Sequence, residues 1–165
     1  MGIGRFFRHV FTTQWRLNRA FDAGTRAAIE ETITATEETH RGELRFAVEA
    51  RLDTWSLLGG ETAHERSLDV FANLGIWDTE DNSGILIYVL LADHHVAIVA
   101  DRGYRDLVSD EQWRAVCEAM EKAFRAGDFR KGAIDGILGA ARFAAEHFPL
   151  DGDNPDELSN EMIFL

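Results

Sequence analysis

Carboxylates crowd the middle of this chain at positions that topology can gather. Asp78, Glu80 and Asp81 stand in the polar stretch "WDTEDNSG", Asp101 ends the run "VAIVAD", and Asp110 and Glu111 follow Ser109. Two apolar runs, 85–92 and 96–101, flank Asp93, His94 and His95, which is the pattern of an antiparallel hairpin. With Ala92 facing His95 across the turn, Asp101 falls near Leu86, and Asn82 and Asp81 lie just beyond. The loop before the first strand and the exit of the second then share one edge of a sheet. A helix starting near Ser109 brings Asp110 and Glu111 toward that edge. Clustered carboxylates repel one another, and a hard divalent cation with oxygen ligands, Ca2+ or Mg2+, relieves that repulsion. A cation held there would polarise a phosphoryl oxygen or activate water. The ordinary reading of the same residues is a solvated acidic loop, with Asp110 and Glu111 favouring a helix N-terminus.

Other reactive residue types point to structure. His94 and His95 lie at the opposite end of the hairpin from Asp101 and lack a third ligand, so they read as exposed turn residues. Cys117 falls on the apolar face of a helix, where an inert thiol is expected. Ser109 with Gln112 fits a capping box, and no GxSxG context makes it a nucleophile. "GIGRF" and "RGYRD" lack the GxxxxGK[ST] pattern of a phosphate loop. "DGDNPDELSNEM" fails as a calcium loop, because Asp156 stands where glycine is needed and Met162 replaces the final glutamate. No cofactor-binding motif emerges.

A net charge of −12 argues against a nucleic-acid partner. The charge is uneven: residues 1–21 hold Arg5, Arg8, Arg16 and Arg19 and no acid, so they carry +4 against −16 for the remainder. Within that segment Phe6, Phe7, Phe11 and Trp15 interleave with the arginines at helical spacing. Such a helix suits an anionic lipid surface or a partner's groove, and it equally suits docking on its own acidic domain. No apolar run reaches bilayer-spanning length, and no signal-peptide pattern opens the chain, so a cytoplasmic protein is expected.

The elements that must position these residues follow from periodicity. Residues 22–40 read as a helix opened by Asp22, and "ELRFAVEARL" alternates as a strand with one side partly wet. "LLGG" reads as a turn, 61–75 as a helix, and the hairpin follows. The strands before and after the second helix form a β-α-β unit and pair in parallel. Helices beginning at Ser109 and near residue 130 complete the core. The expected fold is a three-layer α/β/α sandwich with a small mixed β-sheet. It divides into a basic amphipathic helix over 1–21, a domain over 22–148 and an acidic flexible tail over 149–165, where five acids and no base precede "MIFL".

The ordered set "GELRFAVEA", "DNSG", "ILIYVLLAD", "VAIVADRGY", "SDEQW" and "FRAGDFRKGAIDGI" resembles the TPM domain family, known also through thylakoid lumen phosphatase-like and bacterial members. The resemblance covers roughly residues 22–148. It implies an α/β/α domain often tied to membranes, with a metal-binding acidic cleft in some members and acid phosphatase activity claimed for a few. Others are accessory factors of membrane complexes. Family positions resembling Asp81, Asp101 and Asp110 mark these residues, with Glu111 beside them, as the expected metal ligands. The signal peptide and transmembrane helix of many relatives have no counterpart here, which leaves Arg5, Phe6, Phe7, Arg8, Phe11, Trp15, Arg16 and Arg19 as the expected membrane or partner contact. The leading expectation is an accessory module, peripheral on the inner membrane face, with a membrane protein as its expected partner. The alternative is a divalent-metal-dependent acid phosphatase.

Overall fold

The computed structural model describes residues 4, 5, 9, 12–152 and 157–165. Its helices are α1 (Gln14–Ala20), α2 (Ala23–Glu37), α3 (Thr54–Gly59), α4 (Ala63–Asn73), α5 (Asp110–Arg125) and α6 (Phe129–His147). The strands are β1 (Glu43–Glu49), β2 (Gly84–Leu90), β3 (His95–Ala100) and β4 (Ile163–Phe164), in the sheet order β3-β2-β1-β4. β1 and β2 run parallel, with Phe46 beside Ile87, and β2 and β3 form the expected antiparallel hairpin. Among the described residues no helix is long and apolar enough to cross a membrane.

Strand alternation divides the core. Leu44, Phe46, Val48, Ile85, Ile87 and Val89 face a layer built with α1, α2, α5 and α6. Ala47, Leu86, Tyr88, Leu90, Ala97 and Val99 face the other way, toward α4. Helix starts follow local chemistry: Asp22 accepts from the Thr25 N–H, and Thr62 with Glu65 and Ser109 with Gln112 form capping boxes.

Three expectations need correction. The expected wet side of β1 shrinks to half-buried Arg45: Glu43 is 2% exposed and Glu49 8%, because the α4 layer and the C-terminal segment cover that face. The "LLGG" segment contains a short helix, α3, because the Asp53 carboxylate accepts from the N–H groups of Trp55 and Ser56. The segment expected to be a flexible tail ends in the sheet. The Glu43 carboxylate accepts the backbone N–H groups of Glu157 and Leu158, Met162 is buried, and Ile163 pairs with Ala47 in parallel. A buried carboxylate needing donors thus seizes the tail's backbone.

At the far edge, β3 is guarded by α5. The Glu121 carboxylate accepts from the Val96 N–H at 3.1 Å and lies 2.7 Å from His95 Nδ1. His95, read as an exposed turn residue, is exposed but opens β3 and pairs with Glu121.

Met162→Ala should cost about 2–5 kcal/mol of unfolding free energy, as truncation of a buried core side chain does. Native-state hydrogen exchange should show protection at the Leu165 amide, which donates to Val48 O at 3.0 Å. Exchange there at the rate of a free peptide would contradict the docked tail.

Candidate functional site

The hairpin brings the loop before β2 and the exit of β3 to one rim, with a register two residues from that expected. Leu90 faces His95, and the Asp101 N–H donates to Gly84 O at 2.9 Å. A 3-10 turn over Leu91–Asp93 and a left-handed His94 consume the difference. The shift is even, so the same side chains still face the same layers.

Two glycines let the rim close. A Cβ on Gly84 would lie 2.0 Å from Ile76 O, and one on Gly103 would lie 2.5 Å from Asn82 O. Around Gly103, its N–H donates to Asn82 O at 3.1 Å and the Arg102 guanidinium donates to Asn82 Oδ1 at 2.6 Å. The Tyr104 hydroxyl donates to Ser83 O, and its burial pushes its pKa up.

The carboxylates on this rim turn to separate neighbours. Asp81 pairs with Arg41 at 3.2 Å. Asp101 Oδ1 accepts from the Arg102 N–H at 2.6 Å, whereas its Oδ2 is enclosed and receives no donor. Asp110 and Glu111 occupy the exposed first turn of α5, Asp78 is exposed, and the Glu80 N–H donates to the Glu157 carboxylate. Asp101 and Asp110 line one cavity of about 560 Å³ with Arg102, Arg105 and Trp113; Asp81 and Glu111 are not on its wall. Among the described residues no group of three or more His, Cys, Asp or Glu could hold a metal ion. The structure therefore joins two of the four expected ligands.

The basic N-terminal segment divides in two. Arg5 donates to Asp93 Oδ2 at 2.9 Å and to Glu61 O at 3.0 Å. His9 accepts the Leu52 N–H at Nδ1 and presents Nε2 3.2 Å from Asp93 Oδ1. Burial acts to raise the Asp93 carboxyl's pKa, but Arg5 and His9 outweigh it and hold the group low. Arg5 is thus spent on its own domain. α1 anchors Leu17 and Phe21 in the core and leaves Trp15 66% exposed beside exposed Arg16 and Arg19, with the Arg19 guanidinium 5.5 Å from the Trp15 ring. Phe6, Phe7, Arg8 and Phe11 lie outside the described residues.

The TPM domain family model matches residues 17–143. This chain belongs to the TPM domain family. The solved BA42 protein from the psychrophilic bacterium Bizionia argentinensis is 33% identical, with a TM-score of 0.75 over 87% of this chain and 94% of that one. The N-terminal domain of a P. gingivalis protein, at 14% identity, a TM-score of 0.60 and coverage of 79% and 82%, shares the fold. No curated protein matches the chain.

Two polar features of this TPM domain went unread in the sequence. Tyr88 donates its hydroxyl to Glu49 Oε2 at 2.6 Å, and Arg66 grips the same carboxylate through two nitrogens. The available signal was a lone tyrosine in an otherwise apolar strand, since a buried hydroxyl requires a partner. The second is the Asp93 clamp on Arg5 and His9, for which the sequence offers no spacing signal. Cys117 fits its inert reading, because burial pushes its thiol pKa up to about 11.

Gly103→Ala should destabilise the TPM domain by about 1–3 kcal/mol, the range for overpacking a close contact. Amide NMR shifts should move at 81–83, where the added methyl would press on the Asp81 and Asn82 carbonyls. An unchanged spectrum there would mean that the rim is not closed as described.

Proposed function

We propose that this TPM domain is an accessory binding module that docks on an anionic membrane surface through α1, where it meets a membrane-protein partner. One observation carries the reading: in a chain of net charge −12, Trp15 projects into solvent beside exposed Arg16 and Arg19 on the outer face of a helix whose inner face is fixed in the core. Leaving a tryptophan exposed forgoes a large apolar burial, and an interface restores it. Anionic lipid attracts the arginines at about 1 kcal/mol each near the surface, while the indole inserts shallowly. Phosphatase activity rests on family resemblance alone.

Sedimentation of the full chain with phosphatidylcholine vesicles, with and without phosphatidylglycerol, tests the docking. Binding should require the anionic lipid. The double substitution Arg16→Glu, Arg19→Glu should weaken it at least tenfold, from the roughly 1 kcal/mol attraction of each arginine. Equal pelleting of both proteins, or pelleting of neither, would overturn the reading.

A second reading has its own support. Asp101 Oδ2 is enclosed without a donor on a cavity wall shared with Asp110, and a Ca2+ or Mg2+ ion would satisfy it. Thermal melts with either cation should then rise with the logarithm of its concentration, and Asp101→Asn should abolish the rise. No response to either cation would remove this site.

A further inference from the structure

Beside the outer face of α1 lies a cavity of about 530 Å³, within the range of small-ligand pockets. Arg16 and Arg19 line it from α1, Arg125 from the last turn of α5, and His94 from the hairpin turn. Half-buried Phe129 supplies an aromatic wall, backed by the buried Phe124 ring stacked 5.3 Å from it. No carboxylate is among its described lining residues, although acids outnumber bases 29 to 17 in the chain. The Arg16 backbone N–H donates to Thr13 O, but its guanidinium makes no ion pair or hydrogen bond among the described residues. Arg125 shares one oxygen of Glu121 at 3.2 Å and remains 57% exposed.

Three arginines lining one cavity from two helices suit a multivalent oxyanion, and their planar forks match phosphate geometry. The adjoining ring suits an apolar substituent. We infer that this cavity binds a phosphate ester with an apolar substituent, the phosphate held by Arg16, Arg19 and Arg125 and the substituent resting on Phe129. For its source the inference rests on the membrane reading, which makes the ligand a phospholipid headgroup; the chemistry itself would equally accept a soluble phosphate ester. The site therefore adds Arg125 and His94 to the docking face.

Phenyl phosphate, titrated into the full chain by NMR, separates the pocket from the surface. Resonances of the Trp15 indole and of 124–129 should shift together and saturate, and Arg125→Ala should weaken that binding about tenfold or more, as loss of a charge-assisted hydrogen bond does. The same variant should also weaken binding to phosphatidylglycerol vesicles. Vesicle binding that ignores Arg125→Ala, with no saturable phenyl phosphate shift, overturns the pocket and leaves the docking face standing. Saturable phenyl phosphate binding without vesicle binding supports the pocket as a site for a soluble ester and overturns the membrane source. Binding of neither overturns both.

Discussion

A parallel strand pair buried on both faces cannot carry an unmatched polar group, and this constraint organises the molecule around β1 and β2. β1 nevertheless brings a glutamate at each end into the interior. At its far end Glu49 is satisfied by Tyr88 and a two-pronged Arg66, which ties α4 to the sheet. At its near end Glu43 accepts two backbone N–H groups from 157 and 158, which draws the C-terminal segment along the sheet. Solvation of those two carboxylates by the protein therefore decides where one covering helix and one edge strand lie.

Much of this architecture is legible in the sequence because periodicity and burial agree. The hairpin, the parallel unit, both capping boxes' helices and the α/β/α layering follow from spacing. What failed was long-range or very local. "ELRFAVEARL" reads as half-wet because its alternation is real, and nothing within ten residues reveals that Arg66 and the 157–158 backbone will answer its acids. The hairpin register slipped by two because a 3-10 turn at Leu91–Asp93 leaves no mark on hydrophobic pattern. α3 was hidden by the glycine pair that ends it, although Asp53 was a visible cap.

The candidate site was legible in position more than in chemistry. Topology does bring Asn82 against Arg102 and Gly103, so the shared rim is real. The side chains on it are set by neighbours that no linear pattern names: Arg41 takes Asp81, and the Arg102 amide takes one oxygen of Asp101. Among the N-terminal bases, Asp93 claims Arg5 while α1 leaves Arg16 and Arg19 to solvent, a division invisible to charge counting. The acidic chain thus keeps a concavity whose described lining holds no acid.

Glu121 has a further consequence. An outer strand whose peptide donors are free is a template on which another copy can add in register, and such growth has no natural limit. By occupying the Val96 donor and His95 together, a single carboxylate on α5 denies the first rung of that ladder to any passing molecule. Solubility at this border is thereby entrusted to a helix and not to the strand it protects.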